Sequence, residues 1–413
     1  MARLALVATT AVACAACSPP DGSRPATTVS DSAGVTLVEN RGAAWAAGAA
    51  WSIDPAPTVS IGVLDGAAEY QLFGVVAAAR QSDGTIVLVD ESRMIRRYAS
   101  DGSFIGEFGG EGAGPGEFRG PAHLLIGPGD SIDVGDVTLS RVTRFGPAGE
   151  FAGMRALDLA ALGKAIRPPL YPAAARPLPD GRMLVRLVRK GGGRAEANAV
   201  SGVSRGAAGA VFVATDLSTI ESRVTFADTE QTPLSPSAGS VPVQPALAKR
   251  TVIAVHPVEA TVCFGEQAVP EVTCIAPDGS RTSMRWTARA APITEAEIVA
   301  WRDSTADLWS AKMGTDEARR LLSEVVHAET RPTYGYLVLD HRGNVWVEQI
   351  PPDRDPSGPV QFLVFAPSGT LLGSVELPSL RVLEIGDDYV LGVQRDEMGV
   401  EYIRQYRLIK PTG

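Results

Sequence analysis

The sequence lacks an excess of positive charge, long apolar segments and the residue clusters that usually carry catalysis. Its 413 residues have a net charge of −9, and an acidic surface argues against binding to nucleic acid or anionic lipid. Beyond the N-terminus, no run is long and apolar enough to cross a membrane. The four histidines and four cysteines do not follow zinc-ligand spacing, and no Gly-x-Ser-x-Gly or His-Glu-x-x-His motif occurs. We therefore predict no nucleic-acid partner, no metal and no cofactor.

Aromatic residues are also scarce, at 6%, whereas glycine and proline are abundant, at 43 and 30 residues. This composition is typical of many turns and short strands rather than long helices, so we predict an all-β protein. The length allows either two domains or one large all-β assembly.

The N-terminus, MARLALVATTAVACAAC, has one arginine, a short apolar run and then small residues before a cysteine. The run is too short to span a bilayer and is typical of an export signal. Its end resembles the lipobox of bacterial lipoproteins. That resemblance implies a signal peptide over residues 1–16 and lipidation of Cys17, or of Cys14 as second choice. The stretch that follows is rich in Ser, Pro and Thr, which predicts a flexible tether over 17–31. An ordinary cleaved signal peptide is the alternative.

Two further cysteines, Cys263 and Cys274, lie on either side of a turn in TVCFGEQAVPEVTC. Apolar alternation on both sides predicts a hairpin, whose pairing can place the two cysteines opposite each other. Because export leads to an oxidising compartment, we predict a disulfide between them. Two buried free thiols remain the alternative.

Residues 83–109 and 129–154 repeat one pattern of three short strands and their turns. Corresponding glycines, Gly102 and Gly149, are 47 residues apart, and such a period is typical of a β-propeller. The rest of the chain can be divided into units that follow the same pattern of strands and turns less closely. Together they give six blades over residues 32–413. The last unit lacks a strand, and we predict that residues 34–40 complete it and close the ring. Helical spacing over 293–329 predicts a helical hairpin inserted between blades 4 and 5, either a channel lid or a structural insertion.

The repeat pattern, followed by Gly-x-Gly-Pro-Gly-Glu-Phe, resembles the NHL-type repeats of bacterial six-bladed propellers over residues 75–154 and, less clearly, 330–408. Met94 replaces an arginine usual in that pattern, which Arg141 supplies in the next unit. The glycine-rich stretch FGGEGAGPGEF (108–118) is not followed by a helical pattern. We therefore interpret it as a crossing between blades and not as a phosphate loop.

His123 and His256 are the candidate channel ligands, because both fall on predicted innermost strands. A catalytic metal usually has three protein ligands, and no third is found at a matching position. Two hydrogen-bonded or solvent-facing histidines are the alternative. Asp90, Asp136 and Asp340 recur at strand ends, which favours turn hydrogen bonds over catalysis, so we assign no catalytic residue.

These features predict an exported, lipid-anchored binding or scaffold protein of the bacterial cell envelope. Its loops and channel would hold a peptide, glycan or small molecule, and we expect a monomer. The alternative is a metal-dependent hydrolase or lyase, lactonase-like or amidating-lyase-like, with its site in the channel. Convergence of His123 and His256 with a third ligand would favour the enzyme.

Overall fold

Short apolar runs, each ended by a turn rich in glycine or aspartate, form the strands of this chain. The computed structural model describes residues 26–46, 48–166, 170–189, 202–234, 241–351 and 358–411. Within these ranges, 28 strands form six sheets that follow one another along the chain. The fold is an all-β, six-bladed β-propeller.

Four strands precede the first blade: β1 (Thr27–Ser32), β2 (Val35–Asn40), β3 (Ser52–Ile53) and β4 (Val59–Ile61). Blade 1 contains β5 (Ala77–Arg80), β6 (Ile86–Val89), β7 (Met94–Tyr98) and β8 (Phe104–Gly109). Blade 2 contains β9 (Pro121–Ile126), β10 (Ile132–Asp136), β11 (Arg141–Phe145) and β12 (Phe151–Ala156), and helix α1 (Leu159–Ala165) follows it. Short 3₁₀ turns lie at Ala68–Tyr70 and Pro128–Asp130.

Blade 3 contains β13 (Leu170–Pro177), β14 (Met183–Arg189), β15 (Ser204–Val213), β16 (Ile220–Leu234) and β17 (Val241–Val243). Blade 4 contains β18 (Val252–Val255), β19 (Val262–Gly265), β20 (Glu271–Ile275) and β21 (Arg281–Trp286). Helices α2 (Glu295–Met313) and α3 (Thr315–Leu322) come next. Blade 5 contains β22 (Leu337–Leu339), β23 (Val345–Glu348), β24 (Val360–Phe365) and β25 (Leu371–Leu377), and blade 6 contains β26 (Arg381–Ile385), β27 (Tyr389–Arg395) and β28 (Glu401–Ile409).

The hydrophobic core is divided into clusters, one between each pair of neighbouring blades. Blades 6 and 1 share such a cluster, in which Leu391 of β27 packs with Leu88 of β6 and Ile61 of β4. Burial of this apolar surface joins the last blade to the first. The predicted closed ring of six blades is confirmed.

The prediction that residues 34–40 complete the last blade is wrong, although another segment near the N-terminus does complete it. Residues 34–40 form β2, which pairs in parallel with β21 on the outer edge of blade 4. Blade 6 is completed by β4 and β3, which pair with successive parts of the long strand β28. The open edge of β21 provides backbone partners for β2. This pairing joins segments far apart in the sequence, so it forms only when the blades have assembled.

The N-terminal segment therefore runs along the outer edges of blades 4, 5 and 6 in turn. Between β2 and β3, the amides of Ala44 and Trp45 donate to the carbonyls of Leu371 and Leu372 on blade 5. The side chain of Asn40 links β2, which is paired with blade 4, to blade 5. It donates to the Gly369 carbonyl and accepts from the Leu371 amide. The last part of the predicted flexible tether, 17–31, is a strand and not a tether, because β1 pairs with β2. Residues 17–25 lie outside the described residues.

The predicted helical insertion between blades 4 and 5 is confirmed. Its first helix begins at a capping box in which Thr294 and Glu297 each bond the other's backbone amide. The hairpin packs Leu321 and Leu322 against Leu234 and Val243 of blade 3, away from the channel lining given below. No helix in the described ranges has the length and apolar character needed to cross a membrane.

The glycine-rich stretch 108–118 crosses from β8 of blade 1 to β9 of blade 2, and no helix follows it. The guanidinium of Arg141 fixes this crossing by donating to the carbonyls of Ala113, Gly114 and Glu117 at 2.6–2.8 Å. Gly109, Gly110 and Gly116 have positive φ, which L side chains rarely adopt. The prediction that this stretch is a structural crossing is confirmed.

Candidate functional site

A cavity of about 620 Å³ occupies the centre of the ring. The first strand of every blade lines it, together with the turns that join the first and second strands. Aliphatic residues form much of its wall, and the charged or polar lining side chains are Arg80, Gln81, Ser82, His123, Asp130, Arg176, His256, His341, Glu384, Asp387, Asp388 and Tyr389. Its volume is in the range of small-molecule sites.

On the blade 6 side, Glu384 is the centre of a hydrogen-bond network. Its carboxylate is 7% exposed and accepts from the backbone amide of Arg80 at 2.8 Å and the hydroxyl of Tyr389 at 2.9 Å. The Nε2 atom of His341 lies 3.1 Å from its other oxygen. The Arg80 guanidinium stacks on the Tyr389 ring, 4.5 Å from the centroid, which closes the network across blades 1 and 6.

The titration of these side chains reflects their contacts. The hydrogen bond to Glu384 raises the pKa of His341, and the negative charges of Glu384, Asp387 and Asp340 act in the same direction. Burial, followed by the charge of Glu384, raises the pKa of Tyr389. The blade 6 side therefore holds a carboxylate, a basic imidazole and a neutral phenol that satisfy one another.

On the opposite side, blades 2 and 3 place His123 and Arg176 in the wall without such a network. Burial and then the positive charge of Arg176 lower the pKa of His123 to about 3, so its imidazole is neutral at pH 7. Burial lowers the pKa of Arg176 to about 10, and the guanidinium stays charged. Arg176 is the cation of this side, and the carboxylate of Asp130, in the turn after β9, accepts from the amide and hydroxyl of Ser82.

Gly135 explains how the wall accommodates His123. It lies opposite His123 in the pairing of β10 with β9. A Cβ atom at position 135 would lie 3.0 Å from Pro177 Cδ and 3.3 Å from His123 Cβ. The absent side chain therefore lets blade 3 approach blade 2 closely at the level of this histidine.

His256 also lines the cavity, but its contacts differ from those of His123. Its ring is 2% exposed and packs near Gly343, and Nδ1 accepts from the amides of Val258 at 3.0 Å and Glu259 at 2.8 Å. Burial lowers its pKa. No group of three or more His, Cys, Asp or Glu side chains in the described part of the chain could hold a metal ion. The convergence that would favour the enzyme alternative is absent from these residues.

The three repeated aspartates serve turns and strand ends, as predicted. Asp136 accepts from four backbone amides, those of residues 119, 120, 138 and 139. Asp340 accepts from the amides of Arg342 and Asn344 and from the Trp346 indole. Asp90 accepts from the Ser92 amide and pairs with Arg96 at 2.6 Å.

The predicted disulfide between Cys263 and Cys274 is confirmed. The two residues face each other in the pairing of β19 with β20, with Cα atoms 4.0 Å apart. The lipidation candidates Cys17 and Cys14 lie outside the described residues.

Sequence reasoning missed Arg176, Glu384 and Tyr389. Arg176 and Glu384 are lone charged residues in otherwise apolar stretches, AAARPL and VLEIG, of innermost strands. A charge in such a stretch signals either a buried partner or a site. The sequence alone does not distinguish these two outcomes.

No protein-family model matches the chain, and no curated protein matches it. Solved structures with a similar course of the chain include a Bacteroides fragilis protein presumed to be exported, with 11% identity, 91% of this chain and 100% of that chain covered, and a TM-score of 0.44. A member of the DUF4221 family from Bacteroides vulgatus has 8% identity, coverage of 87% and 98%, and a TM-score of 0.47. The calcium-binding protein regucalcin from Agrobacterium tumefaciens has 12% identity, coverage of 86% and 96%, and a TM-score of 0.37. The propeller assignment rests on the strand pairing of this chain.

Proposed function

We propose that this chain is an exported, lipid-anchored binding protein of the bacterial cell envelope that captures a ligand in the central channel. The observation that carries the proposal is the cavity itself, which all six blades line with a mixture of aliphatic and polar side chains. Sites of this size and mixture bind small molecules by apolar contact and orient them with a few polar groups. The signal-like N-terminus supports export.

A channel-filling variant tests the binding proposal. Val338 lines the cavity on blade 5, and tryptophan at this position would fill part of it. We would measure thermal melting of the full chain and of Val338→Trp against a library of peptides, oligosaccharides and small molecules. Val269→Trp is the matched control, because Val269 is 51% exposed and lies outside the cavity lining.

We expect at least one compound that raises the melting temperature of the wild-type chain and of Val269→Trp but not of Val338→Trp. Compounds that stabilise all three proteins equally bind elsewhere. A library in which no compound distinguishes Val338→Trp from the other two would overturn the proposal.

The anchor is tested separately by fractionating cells that express the full chain. Lipidation of Cys17 predicts that the wild-type protein sediments with membranes and that Cys17→Ala does not. Cys14→Ala is the control and should stay with the membrane. Sedimentation of Cys17→Ala with washed membranes would contradict the anchor at this residue.

A further inference from the structure

Arg176 is a charged group of the channel wall that the fold itself leaves unpaired. Within the described residues, no hydrogen bond, ion pair or ring contact involves its guanidinium. Arg176 is one of the residues that line the cavity, and its charge lies near enough to His123 in the same wall to lower the pKa of that histidine. Burial alone accounts for the lowered pKa of Arg176, which means that no carboxylate stands near enough to offset it.

The arginines that are buried in the described part of the chain are paired. Arg96 contacts Asp90 at 2.6 Å, Arg141 donates to three carbonyls, and Arg331 contacts Glu297 at 2.7 Å. This is the usual condition, because a desolvated charge without a partner is costly. Arg176 is half-buried and has no protein partner among the described residues, and it lies in the wall of the central cavity, where a ligand can supply one.

The surroundings of Arg176 specify what such a partner needs to be. His123, the adjacent polar side chain of the wall, carries no charge at pH 7 and can donate one N–H. The carboxylate of Glu384 on the other side is already occupied by its own three neighbours. Ala78, Leu124 and Ile253 provide aliphatic wall between the two sides.

We infer that the channel selects a small organic anion, with its carboxylate held by the guanidinium of Arg176 beside His123 and its apolar body against the aliphatic wall. This inference rests on the proposed function, because it names the ligand class of the same cavity. A guanidinium matches a carboxylate with two parallel N–H donors, and partial burial of the site strengthens that pair. The cavity lining also holds carboxylates besides Glu384: Asp130 is bonded to Ser82, and Asp387, which pairs with Arg342, and Asp388 are exposed on the blade 6 side.

Three probes of similar size test the inference by calorimetric titration of the full chain. They are benzoate, benzyl alcohol and benzylamine, which share an aromatic body and differ in charge. We expect benzoate to bind at least about tenfold more tightly than benzyl alcohol, and benzylamine to bind most weakly. The four histidines also permit proton NMR, in which benzoate should shift the His123 ring signals in a saturable manner.

Variants separate the guanidinium from general effects of charge. Arg176→Gln should weaken benzoate binding about tenfold or more and leave benzyl alcohol within about twofold, and Arg176→Lys should restore part of the loss. Arg223→Gln is the matched control, since Arg223 is exposed on β16 of the same blade and lies outside the cavity lining. It removes the same charge and should leave all three affinities unchanged.

The outcomes distinguish this inference from the function on which it depends. Equal binding of benzoate and benzyl alcohol, lost for both in Val338→Trp, would overturn the anion preference and leave channel binding intact. Benzoate binding that survives both Arg176→Gln and Val338→Trp would place the anion outside the channel and overturn the inference. Absence of benzoate binding at millimolar concentration would overturn it too, while the library experiment independently decides the channel function.

Discussion

The charged groups in the two sides of the channel wall differ in whether the protein supplies their partners. On blade 6, Glu384 has an amide, a phenol and an imidazole within hydrogen-bond distance, drawn from blades 1, 5 and 6. On blade 3, Arg176 has no partner in the described structure. Its positive charge lowers the pKa of the nearby His123, which is neutral at pH 7. The first arrangement is complete without a ligand, whereas the second is not.

This difference separates a group that stabilises the ring from one that is available for binding. A carboxylate with several donors from different blades contributes to cohesion, and its removal leaves those donors unsatisfied. An unpaired guanidinium contributes no such contact and carries a desolvation cost that a ligand can offset. The comparison therefore predicts opposite responses to substitution on the two sides.

The largest effect is expected for Glu384→Ala. This variant should lower the free energy of unfolding by about 3 kcal/mol, because it leaves the Arg80 amide and the Tyr389 hydroxyl without an acceptor. Urea unfolding at pH 7 measures it. Asp387→Ala is the control, since Asp387 is exposed and its pair with Arg342 should contribute less than about 1 kcal/mol. Equal losses of stability in the two variants would contradict the claim that Glu384 stabilises the ring more than an exposed ion pair does.

Acid should affect the other side through His123. Its pKa is about 3 in the folded chain and about 6.5 in the unfolded chain, so the unfolded state binds more protons between these values. Stability is therefore complete above pH 6.5 and is lost as the pH falls towards 3. From pH 7 to pH 5 the loss from this residue is about 2 kcal/mol.

His123→Asn isolates this contribution, because the variant cannot take up the proton. Urea unfolding at pH 7 and pH 5 should show a drop that is about 2 kcal/mol smaller in His123→Asn than in the wild-type chain. His327→Asn is the comparison outside the channel; its ring packs on Trp301, and because burial lowers the pKa of His327 too, this variant should change the pH dependence in the same direction. The same pH dependence in the wild type and in His123→Asn would show that His123 is not shielded as described.

A smaller effect is expected for Tyr389→Phe, which removes one donor of Glu384 and keeps the ring beneath Arg80. The loss should be about 1 kcal/mol, because the other neighbours of the carboxylate remain. Tyr402→Phe is a matched control, since its hydroxyl donates to Asp396 on the same blade outside the channel. A loss for Tyr389→Phe as large as that of Glu384→Ala would mean that the phenol dominates the network.

Local spacing in the sequence predicted the elements whose formation depends on local contacts. The three-strand repeat, the capping box at Thr294 and the cross-strand pair Cys263–Cys274 each depend on residues that lie close together in the chain. The turn role of Asp136 was also predictable, since repetition at strand ends indicates a backbone contact. Of these features, the three-strand repeat predicted the number of blades.

The remaining features depend on which edges and walls the assembled ring leaves open. Residues 34–40 have the alternation of a strand, but their partner is β21 of blade 4, and pairing over such a separation leaves no trace in the sequence pattern. Arg176 presents the same difficulty, because a charged residue in a strand looks alike whether a neighbouring blade pairs with it or not. Whether a neighbouring blade supplies a partner for Arg176 depends on the tertiary structure.

The smallest expected effect gives the sharpest form of the comparison. Arg176→Met removes the charge and keeps an apolar stem, so in the ligand-free chain the free energy of unfolding should stay unchanged or rise by up to about 1 kcal/mol. Arg141→Met is the contrasting control, since that guanidinium donates to three carbonyls of the crossing between blades 1 and 2, and its loss should cost about 3 kcal/mol. Urea unfolding of both variants at pH 7 makes the measurement. If Arg176→Met were as damaging as Arg141→Met, the fold would depend on Arg176 for its own stability, and the guanidinium would not be free for a ligand.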